Sequence, residues 1–363
     1  MAEKAIRLGG EATADAIVSA VDTMYSEHTF NEKDFVLKHN DAEIAMDSNF
    51  AAQSFWKDVR VRFFRKKSAV LGLILVVFIV LLAAFGPGMN EYTYSGQELS
   101  QKNFAPRVQV LENFGIFNGD EKMSTTTGSK TVNAYVEKGK EDVYYWFGSD
   151  TYGRDIWTRT WEGARVSLII AVAAAVIDMV IGMSYGLISG YFGGKVDMFL
   201  MRFTEIFGAI PFLPFAMILS ALMAQMDISE NEKIFILMVI LGLLSWTGLA
   251  RLVRGQILLA REQEYVTAAK AMGLRESRIA FRHILPNIVS VIFVTLTLDF
   301  ATCMLTESTL SYLGFGVTYP RPTWGNMLNG ANNSTVIKNF WWRWLFPAIF
   351  LAITCICINI VGD

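Results

Sequence analysis

Three carboxylates interrupt otherwise apolar stretches of this chain: Asp178, Asp299 and Glu307. An ionisable residue within a membrane span costs ~2.5–3.5 kcal/mol on insertion scales, so it usually faces a pathway, carries a proton or meets another subunit. Asp178 and Asp299 would suit a proton- or ion-coupled carrier, or would line a cavity or a partner subunit. Glu307 lies near the end of its apolar run, where helix packing competes with substrate contact as an explanation. A second charged group, Asp150, Arg154 and Asp155, lies in a glycine-containing turn and is spaced to fix itself by charged hydrogen bonds. Hydrolytic chemistry has no footing: the chain holds no His-Glu-x-x-His, no Gly-x-Ser-x-Gly, no Walker A and no dinucleotide glycine motif. Cys355 and Cys357 lack the companions of a metal site, as does Cys303, and His28, His39 and His283 form no cluster. The chain is therefore expected to hold no metal, no cofactor and no catalytic residue of its own.

The segment 264–287 is polar and basic, and it lies between long apolar runs. Tyr265, Ala268, Ala269 and Met272 fall at i, i+3, i+4 and i+7, one modest apolar face of a short helix whose small residues let a partner approach the backbone. Gly273 can end that helix in the left-handed conformation, with Leu274 following. A second helical pattern carries Arg275, Arg278 and Arg282 as its basic side, and Pro286 marks the turn into the next apolar run. On composition alone this would also describe an ordinary cytoplasmic loop.

The elements around these residues are those of a membrane protein. Hydrophobic residues make up 53% of the chain and charged ones 18%, a balance that argues against a soluble domain. Residues 1–53 form a polar extension with no apolar leader, in which Ile17, Val18, Val21, Met24 and Tyr25 could make one helix face. From 54 to 67 aromatic residues alternate with cations, the pattern of an interfacial helix. The span that follows at once disfavours nucleic-acid binding.

Residues 68–89 carry no charge and are long enough to cross a bilayer of roughly 30 Å. Residues 90–165 read as an external segment, with Phe104, Val108, Val110, Leu111, Phe114 and Phe117 as a small core. Five more spans are predicted within 166–361: Val166–Phe192, Ile206–Met226, Ile234–Ala250, a stretch within Ile288–Gly316, and Trp342–Val361. Trp341, Trp342 and Trp344 form an interfacial belt at the last of them. Six Lys/Arg within 57–67, and seven bases against three acids in 251–282, put both termini and the 251–287 loop in the cytoplasm.

The order of residues in the loop resembles the EAA loop of permease subunits of ATP-binding-cassette importers. The resemblance rests on Glu264, Tyr265, Ala268-Ala269, Gly273, His283, Leu285, Pro286 and Asn287. Thr267 and His283 replace the Glu and Ile of the general form, departures usual in the dipeptide/oligopeptide branch. Residues 147–155, with Gly153, Arg154 and Asp155, resemble the stretch before the second span of that branch, Ser149 replacing a Thr. Further matches at Gly193-Gly194, Asp197, Met201-Arg202, Ala250-Arg251, Arg254-Gly255, 307–316 and Trp324-Gly325 extend the likeness over most of residues 55–330. Glu205 stands where Asp is commoner. The chain stops at Asp363, where such proteins usually continue into a polar tail, which leaves open whether the C-terminus is naturally short.

The resemblance implies an all-α membrane protein with six transmembrane helices, the type I ABC importer permease fold, and an extracellular insertion between the first two helices. It implies residence in a bacterial cell membrane. It also implies partners: a second homologous permease subunit, two cytosolic ATPase subunits that bind ATP and Mg, an extracellular peptide-binding protein, and a peptide substrate. Glu264, Tyr265, Ala268, Ala269, Met272, Gly273, Leu274, Arg278, His283, Leu285 and Pro286 would then form the ATPase-coupling loop. Asp178, Asp299 and Glu307 remain candidates for the pathway or an inter-subunit contact. The competing reading is a self-contained carrier using Asp178 and Asp299, which would transport without ATPase partners.

Overall fold

The computed structural model describes residues 60–61, 63–125, 128–226 and 228–362. Its contacts separate a unit ending at Arg62 from the unit Phe63–Asp363. The polar extension 1–53 and residues 54–59 of the expected interfacial helix lie outside the described residues. Of that helix, residues 60–61 and 63–65 are helical, and Lys66 breaks it with an extended backbone before helix α1, Lys67–Phe85.

Among the described residues five helices, α1 included, are long and apolar enough to cross a membrane, or six spans if one sharply bent pair counts as a single span. The second expected span starts earlier than the apolar run suggests. Helix α3, Ile156–Phe192, has 37 residues, ~55 Å at 1.5 Å per residue. Its first ten residues are polar enough to resemble a loop, yet Arg159 and Glu162 are buried against protein. The third span is not the continuous Ile206–Met226. Helices α4, Gly194–Gly208, and α5, Phe212–Ala224, meet at a 69° bend. Pro211 is the cause: it disfavours helical geometry at Ile210 and caps α5 with an extended backbone. Helix α6, Glu230–Arg261, opens on a Ser229/Glu232 capping box and runs eleven residues past Ala250, absorbing the start of the predicted 251–287 loop.

The expected turn at Pro286 is also absent. A helical turn α8, Glu276–Ile279, a π-helical stretch Ala280–Ile284 and helix α9, Leu285–Tyr312, form one 37-residue run. Pro286 sits in the first turn of α9 and has no N–H to give the Arg282 carbonyl, which the wider π turn accommodates. The Asn287 side chain donates instead to the His283 carbonyl, at 2.7 Å. Helix α12, Trp342–Gly362, is the last span.

Helices α3 and α6 run parallel along a glycine seam. A Cβ on Gly182 would meet the Trp246 carbonyl at 3.0 Å, one on Gly186 the Ala250 carbonyl at 2.5 Å, and one on Gly190 the Arg254 carbonyl at 2.9 Å. This four-residue spacing lets the backbones touch, as small-xxx-small faces do between membrane helices. Arg165 closes the far end of α1 by donating to the Ala83 and Ala84 carbonyls, at 3.0 and 2.9 Å.

The insertion between α1 and α3 is ordered and not wholly helical. Strands β1, Asp120–Thr125, and β2, Gly128–Asn133, pair antiparallel, Asp120 opposite Asn133, so the all-α expectation holds for the spans but not here. Asn133 caps the short helix α2, Ala134–Glu137. The insertion core is aromatic: Phe104, Tyr135 and Tyr145 are fully buried, while the expected core residues Val110 and Phe114 are exposed. The Tyr135 hydroxyl fits because it donates to the Ala105 carbonyl at 2.7 Å.

Asp155 joins the insertion to α3. Its Oδ2 accepts from the Thr158 amide at 2.8 Å, the Thr158 hydroxyl at 2.6 Å and Asn90 Nδ2 at 2.7 Å. Replacing it with alanine should cost ~1–2 kcal/mol by loss of the cap, whereas Asp155→Asn keeps an acceptor. Burial raises this carboxyl above the ordinary carboxylate range, against the opposing hydrogen bonds from Thr158 and Asn90. The folded state thus favours the neutral acid: that contribution is complete below the unfolded pKa and is lost as pH rises through the raised folded value. Melting curves across pH should show wild type losing stability relative to Asp155→Asn on the alkaline side. A pH-independent difference would count against this account.

Candidate functional site

Helix α7, Glu264–Ala271, is the first element after α6 and is eight residues long. Its ending is a Schellman turn. The Leu274 amide donates to the Ala269 carbonyl at 3.2 Å and the Gly273 amide to the Lys270 carbonyl at 2.9 Å. Gly273 takes φ +74°, as the sequence suggested, and Leu274 packs with Ala269 across the turn.

The helix divides its side chains sharply. Val266 and Ala269 are buried with Ile279, Ala280 and Ile284, against Leu187 and Tyr191 of α3 and Val253 and Ile257 of α6. Tyr265, Ala268 and Met272 point outward, and Met272 is 73% exposed. The predicted four-residue face is therefore two faces: Ala269 anchors the helix, and the other three are presented. Glu264, Arg278 and Pro286 are also exposed, and His283 and Leu285 are half-buried.

Polar braces hold this end of the helices. Arg254 Nε and Nη2 grip the two carboxylate oxygens of Asp197, each at 2.5 Å, and Ser189 donates to Asp197 at 2.5 Å. Such a two-pronged arginine–carboxylate pair fixes geometry as well as charge. Arg261 donates to the Gly190 carbonyl at 3.0 Å, and the Tyr191 hydroxyl bonds Glu276. The glycine seam was not singled out from the sequence, and Asp197 and Arg254 stood there as separate matches, not as a pair. The Gly182, Gly186, Gly190 spacing was the signal for the seam, while the braces join residues up to 85 positions apart.

The intramembrane carboxylates separate into two cases. Glu307 is fully buried and accepts from the hydroxyls of Ser167, Ser308 and Ser311 at 2.9, 3.3 and 2.7 Å. That environment supports helix packing between α3 and α9. Asp178 on α3 and Asp299 on α9 lie close enough to interact electrostatically. Each keeps one buried oxygen without a hydrogen-bond partner among the described residues. Cys303, one turn beyond Asp299, borders a cavity of ≈ 230 Å³ with Ser245, Thr302 and Thr306.

At the other end of α3, Asp150 and Arg154 pair at 2.6 Å as the turn chemistry suggested, but Asp155 turns away to cap the helix. Ser149 ties the turn to the insertion by accepting from the Phe104 amide at 2.8 Å and donating to the Gln101 carbonyl at 2.6 Å. The three cysteines are buried and unpaired, with Cys355 Sγ 3.9 Å from Met304 Sδ.

A family model described as the binding-protein-dependent transport system inner membrane component matches residues 182–363. One described as the N-terminal TM domain of oligopeptide transport permease C matches residues 54–106. The oligopeptide transport system permease protein OppC of Bacillus subtilis is 37% identical, over 85% of this chain and 87% of its own length. Its namesake from Haemophilus influenzae is 34% identical over 94% and 96%. The dipeptide transport system permease protein DppC of Bacillus subtilis is 32% identical over 91% and 89%. A solved structure of the MetNI methionine ABC transporter in an inward-facing conformation aligns at 20% identity with a TM-score of 0.43, covering 56% of this chain and 91% of that one. None of the relatives named here is described as a self-contained carrier. By the family match and these near full-length relatives, the chain belongs to the binding-protein-dependent transport system inner membrane components.

Proposed function

We propose that this chain is the transmembrane permease subunit of an ATP-driven importer of oligopeptides or dipeptides, and that α7 is its contact with an ATPase. Membership of the family and relatives named as oligopeptide and dipeptide permeases support the substrate class. One observation carries the coupling role. Tyr265, Ala268 and Met272 form an outward surface on a helix whose opposite side is locked to α3 and α6. A partner that moves this surface moves the parallel helices with it.

In this reading the chain adopts the type I importer fold in a bacterial cell membrane, with its termini and α7 cytoplasmic and the insertion outside. A second, related permease completes the pathway. Two ATPase subunits bind ATP and Mg and supply the hydrolysis, and an external binding protein delivers the peptide. When the ATPase pair closes, the two coupling surfaces approach each other and the spans open outward. This chain binds no nucleotide; it converts the partners' motion into access.

The test is uptake of a labelled oligopeptide by proteoliposomes holding the full set of subunits. Uptake should require internal ATP. Met272→Glu, on the exposed face, should reduce it by about tenfold or more, the equivalent of ~1.4 kcal/mol of coupling, without lowering the melting temperature of the chain. Uptake that persists without ATP under a pH gradient would instead establish the carrier based on Asp178 and Asp299.

A further inference from the structure

Where the insertion meets the starts of α3 and α12, three guanidiniums share one cavity of ≈ 260 Å³: Arg154, Arg159 and Arg343. They are almost wholly removed from solvent, at 5%, 2% and 7% exposure. Asp150 is the one carboxylate in the lining, and it is taken by Arg154, which places both Nε and Nη2 at 2.6 Å from its Oδ2. Arg159 spends Nη1 on the backbone carbonyls of Tyr94 and Pro320, at 2.7 and 3.3 Å. Arg343 reaches the Gly330 carbonyl at 2.7 Å and Asn103 Oδ1 at 3.3 Å. Among the described residues neither forms an ion pair.

Buried charges are ordinarily paired, because an uncompensated one carries its full desolvation cost. Here three cations face a single anion inside a cavity that remains open. Tyr319 stacks under two of the cations, its ring centroid 4.9 Å from Arg154 Cζ and 5.7 Å from Arg159 Cζ. The aromatic ring accommodates the cations on its face without taking up their N–H donors. A planar, forked donor held this way matches the two oxygens of a carboxylate or phosphate.

We infer that the cavity bounded by Arg154, Arg159, Arg343, Asp150 and Tyr319 is a binding site for one oxyanion group, held chiefly by Arg159 and Arg343. Two sources share that chemistry: a small anion free in solution, and the phosphate of an anionic phospholipid at the membrane surface. Asp150 competes with the ligand for Arg154, so it tunes affinity downward.

The full chain is purified into nanodiscs of phosphatidylcholine and its thermal unfolding followed while inorganic phosphate is added, with chloride at matched ionic strength as reference. A parallel series uses nanodiscs doped with phosphatidylglycerol. A saturable rise in melting temperature with phosphate identifies a soluble oxyanion as ligand; a rise confined to the phosphatidylglycerol series identifies the headgroup. Arg159→Gln with Arg343→Gln should weaken the response by about tenfold or more. Asp150→Asn keeps the acceptor used by the Tyr152 and Arg154 amides but removes the competing charge, so it should tighten binding by about threefold or more. No response beyond chloride in either series overturns the site, as does Asp150→Asn weakening the response. Both of those readings stand even if the arginine variants do not fold.

Discussion

Gly186→Ala is expected to destabilise the chain, although alanine is the better helix former. The gain from removing a helical glycine is ~0.5–1 kcal/mol. Against it stands a Cβ placed 2.5 Å from the Ala250 carbonyl and 2.8 Å from Val253 Cβ, both on a helix that cannot yield locally. Overpacking of this kind costs ~1–3 kcal/mol, so the clash outweighs propensity, and Gly186→Val should be worse still. Gly248→Ala is the control: its Cβ would meet nothing within 4 Å, so the propensity gain stands alone. Thermal unfolding in detergent should rank the proteins Gly248→Ala, wild type, Gly186→Ala, Gly186→Val. If Gly186→Ala melts as high as the control, α3 and α6 do not rely on backbone contact.

On the proposed role of α7 as the ATPase contact, Gly273→Val should impair coupling while leaving global stability nearly intact. The position sits at φ +74° with open space around it, so the obstacle is backbone strain rather than crowding. A left-handed residue costs ~1–2 kcal/mol for side chains in general, and a branched Cβ fits that region worst. Relief of the strain unwinds the Schellman turn, frees Leu274 from Ala269 and tilts the exposed face of α7. Peptide-stimulated ATP hydrolysis by the assembled transporter should fall by about tenfold or more, and Gly273→Asn should recover much of it because asparagine tolerates this conformation. Full ATPase stimulation in the valine variant would show that the rigid turn is dispensable.

Apolar runs located the five long helices and the bent pair, but they measured the apolar length and not the helix. Polar residues 156–165 escape the hydropathy signal because they are buried against protein, so the start of α3 at Ile156 is visible only through its Asp155 cap. The continuation of α6 to Arg261 was hidden for a similar reason: Arg254 reads as a loop cation until Asp197 appears opposite it. Pro211 stands inside the third apolar run, yet proline alone does not say whether a helix kinks or breaks, and here two packed segments decide. In the candidate site, Gly273 was legible because a helix followed by glycine has one common ending. The split between Ala269 and its neighbours was not, since four apolar positions define a stripe without saying which edge meets protein. The arginine cavity gathers residues from 154 to 343, and no local pattern announces such a meeting.

The π-helical stretch at Ala280–Ile284 alters how the 37-residue rod 276–312 should be interpreted. One additional residue in a turn rotates everything beyond it by about 100° relative to an unbroken α-helix. Residues 276–279 and 285–312 thus follow two angular phases, and a helical wheel drawn through both assigns the wrong neighbours to one of them. With that offset, Ile279 and Ile284 seat against α3 and α6 at one end while Glu307 meets Ser167 of α3 at the other. Any insertion or deletion between 280 and 284 is therefore a change of azimuth for the whole upper rod, not a local edit.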